Sequence, residues 1–346
     1  MDGVVKAVAF GLMAAAISTA RPTAAQSVAD FYKGKQIEFI AAGDPGTTQD
    51  VWSRILARHM PRHLPGAPTF VVKNIPGSGH IKAADYLFNI AAKDGTAIGT
   101  FSNSIVSGYV MKLPGITFDA TKFLWLGSPD LSNRGCVARE GAAVQKAEDL
   151  FSRELIVGGT GATGGISATP TLLRGLLGMR FKLVEGYPGP GEVFLAMDRG
   201  ELDGICNTLS GVEVSRPGQM AQGKLKLLFN LEPEPVPGLD APSIYRFTKT
   251  EEERRIIAFY NSNLELGRPF FAPPGVPADR LQALRTAFAA ALKDPALVEE
   301  ATKAKLEIVP LSGEELTRRV DRMAATPPDI IEKTNKLLAP EASGGK

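Results

Sequence analysis

Three short loops rich in glycine, hydroxyl and amide residues are the first candidates for chemistry in this sequence. Such loops present unpaired backbone N–H groups, and the first two lead into helix N-termini, which suits a carboxylate or a phosphate. Glycine can also serve only to allow tight turns, but three such loops at one sheet edge favour binding. The predicted ligand contacts are Gly43, Asp44, Pro45, Gly46, Thr47, Thr48 and Asp50 in the first loop, Pro76, Gly77, Ser78, Gly79 and His80 in the second, and Ser102 and Asn103 in the third.

A fourth loop carries the pattern GxGxxG at positions 159–164, directly after a predicted strand. Glu185 follows 21 positions after its last glycine, as a dinucleotide-binding fingerprint requires. Against that interpretation, the motif lies in mid-chain, and Pro170 should interrupt the helix that the motif opens. The N-terminal segment, described below, also predicts export, and an exported protein must acquire its cofactor before it leaves the cytoplasm. An anion cradle needs only backbone donors and hydroxyls. The predicted contacts in the second half of the chain are Thr160, Gly161, Ala162, Thr163, Gly164 and, after a later strand, Asn207.

Other reactive residues give weaker patterns. His59 and His63 are four apart, but the proline between them breaks the helix that would align them, so no metal site is predicted. Ser78 has no GxSxG frame, and no set of nucleophile, base and orienting group is present, so we predict no catalytic residue and no cofactor. Cys136 and Cys206 lie outside any CxxC motif. They can form a disulfide in an oxidising compartment or remain two buried thiols.

Apolar runs alternate with helical patterns along the chain, which is typical of an α/β fold with parallel strands and crossover helices. The predicted strands are 36–42, 69–73, 97–101, 123–126, 136–139, 154–158, 181–185, 204–208, 225–230 and 264–272. The predicted helices include 49–59, 79–92, 169–177, 192–199 and 278–293. Residues 232–242 are rich in proline and mark a candidate crossover between domains. We expect the helices after residue 272 to pack back on the first domain.

Composition and the N-terminal segment restrict the class of protein. The chain has 346 residues, 44% of them hydrophobic, and a formal net charge of +2. Two domains fit this length, and the small charge does not favour a nucleic acid or an anionic membrane as partner. Residues 1–25 resemble a cleavable signal peptide: Lys6 precedes an apolar stretch, 7–17, that is shorter than the roughly 20 residues needed to span a bilayer. We therefore expect export and a soluble mature chain.

Several blocks resemble, in order, those of the Bug-type (TctC-like) receptors, the periplasmic substrate-binding subunits of tripartite tricarboxylate transporters. The blocks are GKQIEFIAAGDPGTTQDVWSRILARHMPRHLPG, VVKNIPGSGHIKAADYLFNIAAKDGTAIGTF, GGTGATGGISA, YPGPGEVFLAMDRGELDG and FFAPPGVPADRLQALRTAF. The resemblance implies an α/β, type II periplasmic-binding fold with two lobes, a hinge and a cleft between the lobes. It places 27–130 and 245–346 in a discontinuous first lobe and 131–244 in a second.

The resemblance also implies a function. It suggests a non-catalytic, monomeric periplasmic receptor that closes on a small organic acid and delivers it to the large and small membrane subunits of the transporter. In the family, the first two loops hold a ligand carboxylate through backbone amides. The second-lobe anion loop corresponds to 160–164, with Tyr187 beside it. Asp44 and His80 depart from the family pattern, so the ligand is not carried over. An exported NAD(P)-type oxidoreductase and a ligand sensor for a signalling partner remain the alternatives.

Overall fold

The structure is a computed structural model that describes residues 26–131, 133–160, 165–234, 236 and 238–339, so the predicted signal peptide lies outside the described residues. Two mixed sheets with covering helices form the fold. The strands are β1 Gln36–Ala42, β2 Thr69–Ile75, β3 Ala97–Thr100, β4 Leu124–Ser128, β5 Arg134–Arg139, β6 Leu155–Gly158, β7 Phe181–Val184, β8 Gly204–Thr208, β9 Leu225–Asn230, β10 Phe270–Ala272 and β11 Leu311–Ser312. The helices are α1 Val28–Tyr32, α2 Thr48–His59, α3 Ile81–Asp85, α4 Ser104–Val110, α5 Gly165–Leu177, α6 Pro190–Asp198, α7 Leu209–Ser215, α8 Glu251–Asn261, α9 Ala278–Ala291, α10 Pro295–Lys303, α11 Gly313–Ala324 and α12 Pro328–Leu338.

The first sheet begins with the predicted βαβαβ unit. β1 lies between β2 and β3 and is parallel to both, with Glu38 opposite Val71 on one side and Ala97 on the other. The side chains of β1 from Phe39 onward are almost all buried, because helices cover both faces of the sheet. α2 buries Trp52 against this sheet. The carboxyl ends of the three strands therefore meet at one edge, as the sequence predicts.

The two sheets share one strand order. The first sheet runs β11-β4-β10-β3-β1-β2 and the second runs β7-β6-β8-β5-β9. Without β11 and with the second sheet read in reverse, β4-β10-β3-β1-β2 corresponds to β9-β5-β8-β6-β7. In both sheets the second strand of this order, β10 or β5, is antiparallel to its two neighbours. That strand is in each case the first one after the chain crosses from the other sheet. The predicted parallel arrangement was therefore wrong for β5 and β10, and also for β11, which is antiparallel to β4.

Two predicted elements differ from the structure near glycines and left-handed residues. The predicted helix 79–92 is a 3₁₀ turn at Ser78–His80, the short helix α3 and a π turn at Tyr86–Ile90. His80 has φ +76°, so a regular helix begins only after it. The predicted strand 264–272 was wrong in its first half, because Leu264–Leu266 forms a 3₁₀ turn and Gly267 has φ +58°.

The C-terminal helices close the first lobe. α9 and α11 pack on β4, and α10 packs on α2, so these three helices return to the first sheet. Asp294 caps α10 and Ser312 caps α11. The last described helix, α12, instead contacts α8 and α5, so it spans from one lobe to the other.

The second sheet carries the only two cysteines of the sequence. Cys136 in β5 lies opposite Cys206 in β8, and the two form a disulfide. Both residues are fully buried in the core of this sheet. Of the two alternatives that the sequence leaves open, the structure shows the bonded pair.

Candidate functional site

A buried carboxylate holds the first loop. Asp50, in the first turn of α2, accepts hydrogen bonds from the Gly46 backbone N–H at 2.9 Å, from Arg54 Nε at 3.0 Å and from Asn74 Nδ2 at 3.0 Å. Burial alone would raise the pKa of Asp50, but the hydrogen bonds from Arg54, Gly46 and Asn74 lower it below its ordinary value. The Asp50 carboxylate, predicted as a ligand contact, is therefore engaged in holding the loop.

The exposed part of the first loop is its turn. Gly43 and Gly46 have φ of +103° and +86°, which favour glycine. Thr47 is the N-cap of α2: its Oγ1 accepts from the Asp50 N–H and donates to the Asp44 carbonyl at 2.8 Å. Thr48 opens the helix and is half-buried, whereas Asp44 and Pro45 are exposed. The turn thus presents backbone and an acidic side chain to solvent.

His80 joins the three loops of the first sheet. Its Nδ1 accepts a hydrogen bond from the Ser102 backbone N–H at 3.0 Å, so the neutral ring carries its proton on Nε2. Nε2 faces the first loop, because a methyl group placed on Gly43 would lie 3.4 Å from it and 3.4 Å from Thr47 Oγ1. Burial lowers the pKa of His80. At neutral pH the ring is therefore an uncharged donor that points toward the first loop.

The second loop is exposed at its tip, and the third is tied to the crossing segment. Pro76, Gly77 and Ser78 are exposed, and Gly77 has φ +109°. In the third loop, Ser102 Oγ contacts Ser104 Oγ at 2.8 Å, and Asn103 Nδ2 donates to the carbonyl of Gly267 at 3.0 Å. The Asn103 side chain thus fixes the third loop to the chain that enters β10.

A hydroxyl holds the described start of the fourth loop. The Thr160 N–H donates to Ser167 Oγ at 3.1 Å, and Ser167 Oγ donates to Glu185 at 3.0 Å. The predicted contacts Gly161, Ala162, Thr163 and Gly164 lie outside the described residues. The α5 helix runs through Pro170, so the expectation that this proline interrupts the helix was wrong. Proline adopts a helical φ, and the helix continues with the loss of one backbone donor.

Two further predicted contacts lie at the same edge of the second sheet. The Tyr187 N–H donates to the Gly159 carbonyl at 3.2 Å, and its ring packs on the core of this sheet. Asn207 Oδ1 accepts from the Thr208 N–H at 2.8 Å. The side chains of Tyr187 and Asn207 are half-buried.

Sequence reasoning missed Arg134, the first residue of β5. Its guanidinium lies against Gly165, where a Cβ atom would overlap it. One Nη donates to Tyr260 Oη at 3.0 Å, while Nε is buried and has no hydrogen-bond partner in the part of the chain that the structure describes. No motif surrounds this arginine, so the sequence alone gave no signal for it.

A cavity of about 540 Å³ lies between the third loop, the start of α5, the end of α8 and α12. This volume suits a small organic ligand. Its wall includes Ser102, Asn103, Arg134, Gly165, Tyr260 and Asn263. Of the predicted contacts that the structure describes, Ser102 and Asn103 line it directly. The hydrogen bond between Ser102 and His80 connects the cavity wall to the first two loops.

The paired histidines have other partners. His59 Nε2 contacts Glu300 at 2.7 Å, and His63 Nε2 contacts Asp294 at 2.9 Å. Within the described ranges, no group of three His, Cys, Asp or Glu residues is arranged to hold a metal ion. The helices of those ranges also include none with the length and apolar character needed to cross a bilayer.

No protein-family model and no curated protein matches the chain. Several solved structures are similar to it in fold. A TctC solute-binding protein from Polaromonas is 18% identical, with a TM-score of 0.70 over 87% of this chain and 99% of its own. The periplasmic binding protein BugD is 20% identical, with a TM-score of 0.59 over 88% and 98%. MatC from Rhodopseudomonas palustris, with bound malate, is 18% identical, with a TM-score of 0.56 over 88% and 99%.

These similarities cover nearly the whole described chain and both sheets. Together with the repeated strand order and the cavity between the lobes, they show that the chain has the two-lobe, type II periplasmic-binding-protein fold found in TctC- and Bug-type solute-binding proteins.

Proposed function

We propose that this chain is a Bug-type (TctC-like) periplasmic receptor that captures a small organic acid between its lobes. The observation that carries the proposal is His80, which binds the third loop through Nδ1 and directs its Nε2 donor toward the first loop. A carboxylate placed there would accept from Nε2 and from the exposed backbone of the first two loops. Donors fixed in advance in this way bind an anion at little ordering cost.

The binding step is lobe closure. We assign 27–130 and 245–346 to the first lobe and 131–244 to the second, with the ligand in contact with both. A ligand that makes more contacts in the closed form shifts the population toward it. The closed form then docks on the large and small membrane subunits of a tripartite tricarboxylate transporter. Residues 1–25 direct export and are removed.

Two alternatives have less support. An exported oxidoreductase would use the glycine motif at 159–164, yet the solved structures of the same fold named above are solute-binding proteins. A ligand sensor would use the same site and differ only in its partner. Genes for transporter membrane subunits beside this one would favour the transport role.

The test is a ligand screen with residues 26–346. We expect at least one of a set of mono-, di- and tricarboxylates, aromatic acids and acidic amino acids, malate included, to raise the melting temperature, because a ligand that binds the folded state stabilises it. Titration calorimetry then gives the affinity. If no acid changes the melting temperature or the Trp fluorescence, the receptor proposal is wrong.

The paired variants Gly77→Asp and Gly200→Asp locate the site. Both glycines have positive φ, +109° and +77°. Gly77 also has ψ 161°, a conformation almost confined to glycine, so the melting temperature of each variant is measured beside its affinity. Gly77→Asp places a carboxylate beside the ligand acid, and we expect binding to fall at least about 100-fold. Gly200→Asp lies in a turn with open space around it and should bind normally. Equal affinities for the two variants would remove the second loop from the site.

A further inference from the structure

Each crossing strand has an arginine close to its start. Arg268 lies just before the crossing strand β10, and Arg134 begins the crossing strand β5. Arg268 forms an ion pair with the buried carboxylate of Asp130. Among the described residues, no carboxylate pairs with Arg134. Within the described residues, Arg134 therefore lacks the carboxylate partner that Arg268 has.

Neutral groups hold the Arg134 guanidinium in place. Thr169 Oγ1 donates to the Gly165 carbonyl at 2.8 Å, so Tyr260 Oη donates to Thr169, at 2.7 Å. The Tyr260 oxygen is then free to accept from Arg134 at 3.0 Å. This relay fixes the direction of the guanidinium without cancelling its charge. An arginine held by hydroxyls alone retains its capacity to bind an anion.

The cavity beside Arg134 has unmet polar groups and an apolar wall. Among the described residues, Arg134 Nε is a buried donor without a partner, and Asn263 Oδ1 is a buried acceptor without a partner. Met111, Leu113 and Leu338 supply apolar surface in the same cavity. Buried polar atoms are normally paired. A molecule that satisfies both atoms would bring an anionic group to Arg134 and an N–H or O–H group to Asn263.

We infer that Arg134 binds a second acidic group of the ligand, so the receptor takes a diacid in preference to the corresponding monoacid. The inference rests on the proposed function, in which the loops of the first lobe hold one carboxylate. The exposed carboxylate of Asp44 disfavours a second anion at that lobe. A diacid can then bridge the lobes, with one end at His80 and the other at Arg134.

The experiment compares matched acids by titration calorimetry: adipate with hexanoate, succinate with butyrate, and terephthalate with benzoate. We expect the wild-type chain to bind at least one diacid more tightly than its monoacid. Arg134→Gln should lower that diacid affinity about 10- to 100-fold, because a charge-assisted hydrogen bond is lost, and leave the monoacid affinity unchanged. Arg134→Lys should retain part of the preference.

Two further variants keep the test independent of folding. Gly165→Ala retains the charge but displaces the guanidinium, so it should reduce the diacid preference in the same way. Arg153→Gln removes an exposed arginine that also has a neutral partner, the Ala143 carbonyl, and should change nothing.

The outcomes separate this inference from the proposed function. Unchanged diacid binding in Arg134→Gln and Gly165→Ala, or an equal loss for both members of a pair, overturns the role of Arg134 and leaves the receptor proposal standing. If the wild-type chain binds no acid of any pair and none in the wider screen, both proposals are wrong.

Discussion

The two lobes share one strand order but hold their ligand-facing edges differently. In the first lobe, the charged group of Asp50 with Arg54 and Asn74 fixes the first loop, and Arg268 is neutralised by Asp130. In the second lobe, a hydroxyl holds the described start of the loop, and Arg134 has no described carboxylate partner. The same scaffold therefore gives one lobe whose arginine at the crossing strand is already paired and one lobe whose arginine is available to a ligand.

The largest expected effect concerns the disulfide, which only the second lobe has. Replacing both cysteines, Cys136→Ala with Cys206→Ala, should cost about 2–4 kcal/mol of unfolding free energy, since the bond closes a loop of 70 residues in sequence separation. Urea unfolding with and without reductant measures this. The wild-type chain should lose stability on reduction and the double variant should not. A wild-type chain that is insensitive to reductant would contradict the prediction.

A smaller effect should distinguish the two loop supports. Asp50→Asn keeps the side-chain shape but removes the charge, and we expect a cost of about 2 kcal/mol, against about 1 kcal/mol for Ser167→Ala in the second lobe. Because the pKa of Asp50 is lowered, its stabilisation is present above its ordinary pKa of 3.8 and is lost as the pH falls through the folded-state value. Unfolding curves at pH 7 and at acidic pH measure both effects. A larger cost for Ser167→Ala would reverse the comparison.

The smallest effect is the pH dependence of the His80 contact. Burial lowers the pKa of His80, so the neutral ring stabilises the fold above the ordinary value of 6.5, and this stability is lost as the pH falls through the lowered pKa. The ring is only half-buried, and water screens the effect. Asn tolerates the left-handed backbone at position 80, so the His80→Asn variant should keep the fold. Its melting temperature should lack the slope with pH that His80 gives the wild-type chain between pH 8 and 5. Arg134→Gln should leave the slope unchanged, because arginine does not titrate there.

The sequence predicts strands well where apolar runs end at glycine or polar residues. The bounds 36–42, 204–208 and 225–230 agree with β1, β8 and β9. The antiparallel crossing strands were not predicted, because strand direction depends on where the chain returns and the local pattern does not contain that information. The helix after His80 was wrong for a local reason, since the left-handed backbone of His80 interrupts a pattern that is otherwise periodic.

The candidate site was predicted only in part. The loops and His80 follow from the composition of the segments after each strand. The locking role of Asp50 depends on Asn74, which is distant in sequence, so the chain order cannot distinguish a supporting carboxylate from one that faces a ligand. Arg134 resembles any other arginine at the start of a strand. Its significance comes from what surrounds it, namely Gly165, Tyr260 and no described carboxylate.

The insertion of β10 between β3 and β4 also affects the order of folding. Trp125 of β4 pairs with Phe271 of β10, so the first sheet cannot be completed until a distant part of the chain is available. All strands of the second sheet lie between residues 134 and 230. Closing long loops slows folding, and we expect the second lobe to form first. Until β10 arrives, β3 and β4 present unpaired edges, which is the stage at which this chain is most exposed to aggregation.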